Sequence, residues 1–285
     1  MKEIFDRESK QFIEIQQYGE KKLKFLYNTF LGRTLLKIVT MLFFSKINGF
    51  YNNTIFSKSK IAKFIKKYNI NLSDYEKNEY KTFNEFFTRK KVSVNIDENK
   101  NNFISPADSK LLIYKIEDEL KVKIKNSIYT LPELIDCEND IKKYLNGYCL
   151  VFRLAMDDYH RYCFIDDGQI KKQLHIKGKL HTVSSMSNNH KIYTQNTRTC
   201  NYLKTENFGD VVVIEVGALL VGKIKNYNII DFKKGQEKGY FELGGSTIVI
   251  LVQNNIKIDD DIIENSLNGI ETKVRYGEKI GEKIC

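Results

Sequence analysis

Hydrophobic and polar positions change their spacing about a third of the way along the chain. From about residue 20 to residue 89, apolar residues recur at helical spacing, as at Leu23, Leu26 and Phe30, which predicts helices. From Phe103 onward, short alternating or fully apolar runs are separated by Gly, Asn and Asp, which predicts strands. The pattern therefore indicates a helical segment followed by a mainly β region.

The clearest strand predictions are runs rich in aliphatic and aromatic residues. They cover Lys110–Ile116, Lys121–Lys125, Cys149–Ala155, Tyr162–Ile165, Gln169–Val183, Val211–Lys225 and Ile248–Val252. The pattern shows neither a strand–helix alternation nor a Gly-rich phosphate loop, so a nucleotide-binding doubly wound sheet is not indicated. We expect an α+β protein with a mainly antiparallel β core, divided into an amino-terminal helical region at 1–100 and a β-rich domain at 101–285.

The helical region is both apolar and basic. Its most apolar stretch, residues 31–44, is interrupted by Arg33 and Lys37 and is shorter than the roughly 20 apolar residues of a spanning helix, so we do not expect a transmembrane helix. Residues 57–68 predict an amphipathic helix with lysines around an apolar stripe. Such a helix can lie in a membrane interface or pack on the protein's own core. Both remain open for this helix, and the region as a whole favours the membrane.

Two short motifs predict helix starts in the same region. Ser73 with Glu76, and Thr82 with Glu85, have the spacing of capping boxes. In a capping box, the two side chains satisfy backbone N–H groups that the first turn of a helix leaves free. The second motif would begin a short helix in the phenylalanine-rich segment 83–89.

Composition indicates the kind of partner and the cellular compartment of the protein. The 285 residues carry a formal charge of +10, which favours an anionic partner such as a nucleic acid or an acidic membrane surface, although the general richness in Lys, Ile and Asn weakens that inference. An odd set of five cysteines without CxxC spacing predicts reduced thiols rather than disulfides or a zinc site. Residues 1–20 are polar and charged, so we expect no signal peptide and a protein that stays inside the cell.

The segment Gly244-Gly245-Ser246 is the main candidate for chemistry. Two glycines have no Cβ that obstructs the approach of other groups, so the serine hydroxyl can reach the carbonyl carbon of Gly245. This geometry allows a serine to attack its own upstream peptide bond and convert the amide to an ester. Taken alone, the tripeptide is more typical of a turn that leads into the apolar run 248–252.

Three polar motifs precede this segment. Asp108 follows a proline and is typical of a turn residue that accepts backbone hydrogen bonds. His160 carries an imidazole, a group that ordinarily titrates near neutral pH and is able to hold a carboxylate or move a proton. Asn196 and Arg198 flank a single residue, and an arginine presents paired donors to phosphates and carboxylates.

In this order, the motifs resemble those of the phosphatidylserine decarboxylase family. The resemblance runs from about Phe83 to Thr247. It is carried by Pro106-Ala107-Asp108, Asp158-Tyr159-His160-Arg161, Asn196-x-Arg198, Val216-Gly217-Ala218-x-x-Val221-Gly222 and Gly235-x-Glu237-x-Gly239-x-Phe241-x-x-Gly244-Gly245-Ser246-Thr247. It implies a pyruvoyl-dependent carboxy-lyase that converts phosphatidylserine to phosphatidylethanolamine and CO2 through a Schiff base.

The resemblance also implies roles for single residues. The chain would cut itself between Gly245 and Ser246 into a large chain, 1–245, and a small chain, 246–285, and Ser246 would become the covalent pyruvoyl cofactor. His160 would handle the substrate carboxylate and a proton. Asp108 would belong to the self-processing apparatus by orienting a base. Asn196 and Arg198 would bind substrate, and no metal site is predicted.

One position departs from the family pattern. Cys163 stands where the family usually has a second histidine, which is assigned to activating the serine. A neutral thiol is a poor proton acceptor unless its pKa is depressed. Three alternatives stay open: His160 serves both steps, another residue such as His181 or His190 supplies the base, or the thiolate of Cys163 does so.

The expected partners follow from the resemblance. A lipid substrate implies an enzyme on the cytoplasmic face of the cell membrane, bound peripherally to the phospholipid bilayer, with its two chains associated after cleavage. A homodimer is left open, and no nucleic acid is expected. Two alternatives remain: a pyruvoyl decarboxylase of a soluble amino acid, and a non-cleaving membrane-binding relative, to which Cys163 lends some weight.

Overall fold

The computed structural model describes residues 2–15, 20–39, 42–117, 121–124, 127–135, 141–178, 192–218, 223–243 and 246–284. Within these ranges the protein is a mixed fold, with an extensive β-sheet core and a few mostly short helices. The expected combination of helices and mainly antiparallel sheet is therefore confirmed.

Strands account for most of the elements in the described residues. They are β1 (Lys2–Asp6), β2 (Gln11–Ile15), β3 (Asn102–Ile104), β4 (Ser109–Lys115), β5 (Lys121–Ile124), β6 (Ser127–Thr130), β7 (Tyr148–Leu154), β8 (Arg161–Cys163), β9 (Gly168–Ile176), β10 (Arg198–Thr205), β11 (Asp210–Val216), β12 (Ile224–Asn226), β13 (Asp231–Phe232), β14 (Glu237–Phe241), β15 (Ser246–Val252), β16 (Ile256–Ile258), β17 (Glu271–Val274) and β18 (Lys279–Lys283). The α-helices are α1 (Glu20–Asn28), α2 (Phe30–Val39), α3 (Leu42–Asn52), α4 (Ser59–Tyr68), α5 (Phe83–Phe87), α6 (Leu131–Ile135), α7 (Ile192–Gln195) and α8 (Asp260–Leu267). Within the described residues, 3-10 turns lie at Ile55–Lys58, Leu72–Asp74 and Ile141–Tyr144.

Ten strands form one large sheet in the order β13-β9-β10-β11-β15-β7-β4-β17-β1-β2. The neighbouring strands are antiparallel, except for the parallel pair of β1 and β17. Strand β15 is central in this sheet and pairs with β11 on one edge and β7 on the other. Strand β15 is therefore paired along both of its edges.

Side chains alternate between the two faces of this sheet, as the period of a strand requires. Ile248 and Ile250 of β15 belong to one buried cluster, which includes residues of two three-stranded sheets, β12-β14-β8 and β16-β18-β3. Val249 and Leu251 belong to a second cluster, which includes residues of the β5–β6 hairpin, α6 and α7. Because apolar layers cover both faces, β15 is a fully apolar strand after its first two residues.

The helical region forms a third buried cluster. Ile61 and Phe64 of α4 pack there with the phenylalanines of α5, and Ile65 and Tyr68 lie against it. The apolar stripe of α4 therefore faces the protein's own core, which decides between the two alternatives for this helix. The described residues include no helix that is long and apolar enough to cross a membrane.

One of the two capping predictions is confirmed. Thr82 caps α5, and its side chain accepts a hydrogen bond from the backbone N–H of Glu85. The prediction for Ser73 is wrong, because Asn71 caps the short 3-10 turn there and Ser73 lies inside it. Asparagine is as good a cap as serine, and the amide oxygen of Asn71 accepts a hydrogen bond from the backbone N–H of Ser73.

The amino terminus holds a feature that the sequence pattern did not predict. Strands β1 and β2 form a hairpin that joins the large sheet through the parallel pairing of β1 with β17. The first residues of the chain thus belong to the sheet, and the helices begin at Glu20. The division at residue 100 stays a prediction.

Most predicted strands are present with small shifts at their ends. The prediction for 211–225 divides into β11 and β12, and its middle, residues 219–222, lies outside the described residues. Residue 125 and residues 179–183 of two other predicted strands also lie outside them. The predicted strand 162–165 is shorter and earlier, at Arg161–Cys163.

We predict that Phe86→Ala lowers the free energy of unfolding by about 3–5 kcal/mol, because Phe86 is fully buried between other aromatic rings of the helical cluster. Chemical denaturation followed by circular dichroism measures this. The matched control is Phe56→Ala, at a phenylalanine that is 80% exposed, for which we expect a change within about 0.5 kcal/mol. An equal loss in both variants would contradict the inward packing of the helices.

Candidate active site

Several of the polar motifs meet at one edge of the large sheet. Ser246 begins β15 and pairs with Leu154, the last residue of β7. Strand β4 begins beside the end of β7, and β17 ends beside the beginning of β4. Antiparallel neighbours bring the end of one strand next to the start of the next. Asp108, immediately before β4, and His160, just after the turn that follows β7, therefore lie at the same edge as Ser246.

Ser246 is fully buried, and its hydroxyl has no hydrogen-bond partner among the described residues. Alternation places this hydroxyl on the face of Ile248, whereas Thr247, also without a partner for its hydroxyl, lies on the other face. An unsatisfied buried polar group costs about 1–3 kcal/mol, so such a group calls for a functional explanation. Gly244 and Gly245 lie outside the described residues.

His160 is also buried, and one of its two ring nitrogens has a hydrogen-bond partner among the described residues. Its Nδ1 lies 2.8 Å from the backbone carbonyl oxygen of Asp158, which is able only to accept, so Nδ1 carries the hydrogen. Nε2 then holds a lone pair, and it has no partner among the described residues. Burial lowers the pKa of His160 to about 3, so the ring is neutral at pH 7. The site therefore holds a proton acceptor whose tautomer is fixed.

The loop that carries His160 is held at both of its ends. Asp158 accepts two hydrogen bonds from Lys110 Nζ, at 2.6 and 2.8 Å, and one from the backbone of Ala155 at 2.6 Å. The carbonyl oxygen of His160 accepts from the N–H of Phe241 at 2.9 Å. This last bond joins His160 to the strand that leads toward Ser246.

Cys163 is a buried thiol. Its Sγ lies 4.0 Å from the carbonyl oxygen of Ser105, and its N–H donates to the carbonyl of Pro106. Burial raises the pKa of Cys163 to about 12, with a hydrogen bond from Tyr276 acting in the opposite direction. The thiolate is therefore scarce at neutral pH, and this disfavours Cys163 as the base.

Asp108 is buried and fully engaged. Its Oδ2 accepts from Lys91 Nζ at 2.9 Å and its Oδ1 from the backbone N–H of Tyr276 at 2.8 Å. It lies on the wall of a cleft of about 650 Å³ that is lined by both acidic and basic side chains. These contacts fix the turn before β4 next to the segment that follows β17.

The two residues predicted to bind substrate are tied to the backbone. Asn196 Nδ2 donates to the carbonyl of Gly217 at 2.7 Å. The guanidinium of Arg198 donates to the carbonyls of Glu133, Leu134 and Thr194. Both side chains are buried, and this arrangement fits anchors of the chain. Their role in substrate binding stays a prediction.

Of the three other histidines, one lies in the described residues. His175 lies in β9, 3.5 Å from the hydroxyl of Thr199. His181 and His190, the reserve candidates for the base, lie outside the described residues.

Sequence reasoning missed two buried ion pairs at this edge. Lys110 pairs with Asp158, and Arg153 pairs with Glu271 through two hydrogen bonds. Lys110 and Arg153 lie opposite each other on neighbouring strands. The available signal was a cation next to an apolar run in each of two strands, because such a residue is rarely buried unless it is paired.

Known proteins resemble this chain over nearly its whole length. The model of the phosphatidylserine decarboxylase family matches residues 83–282. A phosphatidylserine decarboxylase proenzyme 2 of Clostridium acetobutylicum is 55% identical and covers 98% of both chains. Phosphatidylserine decarboxylase proenzymes of Clostridium tetani and Clostridium botulinum are 41% and 39% identical, and each alignment covers at least 99% of this chain and of the relative.

These matches place the chain among the proenzyme-type decarboxylases. The chain is a member of the phosphatidylserine decarboxylase family. The resemblance that its motifs carry is thereby confirmed, and the family match extends past Thr247 into β18, as far as residue 282.

We predict that His160 makes stability depend on pH. The pKa of His160 is about 3 in the folded chain and about 6.5 in the unfolded chain. The stability that follows from this difference is therefore fully present above pH 6.5 and is lost as the pH falls toward 3. The unfolding free energy should therefore fall by up to about 1.4 kcal/mol per pH unit in this window from this group alone.

The comparison uses His160→Asn, with both chains carrying Ser246→Ala so that they stay whole. Denaturation between pH 3.5 and 7.5 should give a shallower pH slope in the His160→Asn chain. Equal slopes would show that His160 is not buried in its neutral form.

Proposed function

We propose that this protein is a self-cleaving enzyme that decarboxylates phosphatidylserine to phosphatidylethanolamine and CO2. Membership of the family supports the reaction, since the relatives are named as phosphatidylserine decarboxylase proenzymes. The observation that carries the proposal is Ser246, which stands in the family's signature at the start of a central strand with a buried, unpartnered hydroxyl.

Self-cleavage begins with the Ser246 hydroxyl. Its attack on the carbonyl carbon of Gly245 moves the acyl group from nitrogen to oxygen and gives an ester. Loss of the Ser246 α-proton then breaks the Cβ–Oγ bond and releases the Gly245 carboxylate. Water then hydrolyses the enamine that this elimination leaves. The nitrogen departs as ammonia, and a ketone remains at the new amino terminus. Each step needs a proton acceptor or donor close to Ser246.

We assign the activation of Ser246 to His160. It is neutral at pH 7, its Nδ1–H is held by a backbone carbonyl, and its Nε2 lone pair is unpartnered. Cys163, with its raised pKa, is a poor alternative. His160 thus serves the uncut chain as a base. In turnover it also delivers a proton, which it must first take up, and a substrate carboxylate nearby favours its protonated form.

A pyruvoyl group formed from Ser246 would supply an electron sink for the electron pair that the departing CO2 leaves behind. The unpartnered Ser246 side chain fits a residue that is converted into this group. His160 lies at the same edge of the sheet to hold the carboxylate and move the proton. Asp108 supports processing indirectly, because it fixes the backbone at Tyr276, next to Cys163.

The two product chains would stay together. Strand β15 would begin the small chain, and it is buried between β11 and β7 of the large chain. Each large apolar side chain on it contributes roughly 1.5–3 kcal/mol of burial energy. The cut therefore falls between two segments that are anchored separately, β14 before it and β15 after it.

We predict that the purified protein contains fragments of 245 and 40 residues, where 40 is 285 minus 245, and that the small one begins with a blocked pyruvoyl residue. Intact mass spectrometry measures both masses. Ser246→Ala should remain whole and inactive, because it lacks the nucleophile. His160→Gln should cleave at least about 100-fold more slowly, because it lacks the base.

Cys163→Ala is the matched comparison for His160→Gln at the second motif position. We expect it to cleave at close to the wild-type rate. An uncut wild-type chain would favour the alternative of a non-cleaving relative. A cleaved His160→Gln chain together with an uncut Cys163→Ala chain would transfer the role of base to the thiol.

We further propose that the protein binds the cytoplasmic surface of the membrane peripherally. Large apolar side chains are exposed on α2, on α3 and on the 3-10 turn that follows, and these elements contact one another in chain order. We call them the apolar surface: Phe30, Leu31, Phe50, Ile55 and Phe56. Exposed lysines and arginines lie nearby, as at Arg33 and Lys58. An apolar surface next to cations suits an interface with anionic lipids.

We predict that Phe50→Ser combined with Phe56→Ser weakens binding to anionic phosphatidylserine vesicles at least about tenfold, because two phenylalanines lose their apolar contact with lipid. Vesicle sedimentation measures the bound fraction. The control is Ile128→Ser, at an exposed residue of the β5–β6 hairpin, which should bind as the wild type does. Full decarboxylation of soluble serine without lipid would instead favour the soluble-substrate alternative.

A further inference from the structure

A chain of amide hydrogen bonds connects α3 to the strand end that precedes Ser246. Asn53, just after α3, donates from Nδ2 to the carbonyl oxygen of Gly49 at 2.9 Å. Its Oδ1 accepts from Asn84 Nδ2 at 3.1 Å, and Asn84 Oδ1 accepts from the backbone N–H of Leu243 at 3.2 Å. Leu243 lies three positions before Ser246. We call Asn53 and Asn84 the amide relay.

The polarity of the amide relay is fixed at both ends. The carbonyl of Gly49 is able only to accept, and the N–H of Leu243 is able only to donate. Both asparagine amides must therefore be oriented as described, since a flip of either one would set a donor against a donor or an acceptor against an acceptor. Asn53 thus selects the orientation in which Asn84 presents its oxygen to Leu243.

Asn84 is well placed for such a role. Its side chain is 9% exposed, so water competes little for its hydrogen bonds. It belongs to α5, whose Phe87 packs on His160 with ring centroids 4.1 Å apart. Leu243 is buried in the same cluster as Phe87. One short helix therefore contacts both His160 and the strand end before Ser246.

Helix α5 is itself fixed to the region that carries the apolar surface. The backbone N–H of Phe83, its first residue, donates to Ser57 Oγ at 2.9 Å. Ser57 lies in the 3-10 turn at Ile55–Lys58, beside the exposed Phe56. The apolar surface and the reactive edge of the sheet are thus joined through α5 by two independent polar contacts.

We propose that Asn84 is a positioning residue for self-cleavage and that Asn53 orients it, so that the helices of the apolar surface help to set the geometry of the bond before Ser246. The inference rests on the proposed function. Only two residues, both glycines, separate Leu243 from Ser246, and glycines leave the backbone free to adopt many conformations. Fixing Leu243 on one side and β15 on the other limits those conformations. A displacement of about 1 Å is enough to slow an intramolecular attack by a factor of about 100.

The test follows cleavage in real time by pulse-labelled cell-free synthesis, as conversion of the whole chain to its two fragments. Asn84→Leu keeps the shape of the side chain but offers no acceptor to Leu243, and we expect at least tenfold slower cleavage. Asn84→Asp keeps an acceptor for Leu243, and the exposed amide of Asn53 donates to the new carboxylate only if it turns and loses its bond to Gly49. We expect it to recover most of the lost rate. Asn53→Leu should slow cleavage by about two- to fivefold, because it removes the orienting partner alone.

Folding is separated from positioning by two controls. Thermal unfolding of each variant in the Ser246→Ala background, where the chain stays whole, shows whether the variant folds. Asn265→Leu replaces another buried asparagine, in α8, whose Nδ2 donates to Thr272. It should cleave at the wild-type rate, since it touches neither α5 nor Leu243.

The outcomes distinguish this inference from the proposed function. If the wild-type chain never cleaves, the proposed function fails and the inference fails with it. If the wild-type chain cleaves but folded Asn84→Leu matches its rate, or Asn84→Asp is as slow as Asn84→Leu, the positioning role alone is wrong. Should Asn84→Leu fail to fold, Asn53→Leu decides, because Asn53 is exposed; a wild-type rate there overturns the relay.

Discussion

The structure depends on the burial of one strand, β15, on both faces and along both edges. Its backbone is paired with β7 and β11, and its side chains belong to two separate apolar clusters. Ser246 is the first residue of this strand, so it inherits the rigidity of the sheet while its hydroxyl is removed from water. A reactive group that is held still and desolvated has already met much of the entropic cost of reaching its attack geometry. The other residues of the site are arranged around that fixed point.

Electrostatics at this edge follow a consistent pattern. Two pairs of buried formal charges near the loop of His160 neutralise each other, Lys110 with Asp158 and Arg153 with Glu271. The two side chains considered as proton acceptors, His160 and Cys163, are both neutral because burial penalises their charged forms. A proton transfer from the Ser246 hydroxyl to the neutral imidazole creates two opposite charges, but it leaves them next to each other, whereas a thiolate is an unpaired buried charge before any transfer begins. This favours the neutral imidazole over a thiolate as the first acceptor.

The sequence predicted those parts of the fold and site that depend on local patterns. Alternation located most strands, and the Thr82 capping box located α5, because both signals lie within a few neighbouring residues. The β1–β2 hairpin was missed because its pairing with β17 joins opposite ends of the chain. The orientation of α4 was undecided because an apolar stripe is equally suited to lipid and to a core. Arg198 had the chemistry of a ligand, and only the packing around it revealed the carbonyls of Glu133, Leu134 and Thr194 that occupy it.

The topology also constrains when self-cleavage is able to occur under the proposed function. The edge around Ser246 is assembled from the start of β4, the turn after β7, the end of β17 and helix α5, which are far apart in sequence. Such non-local contacts form late, since the chain must first close long loops. Neither the burial that keeps His160 neutral nor the anchoring of Leu243 exists before that assembly. Cleavage is therefore confined to the folded chain, and at that stage β15 already lies between its two neighbours, so breaking the backbone before Ser246 removes no strand pairing.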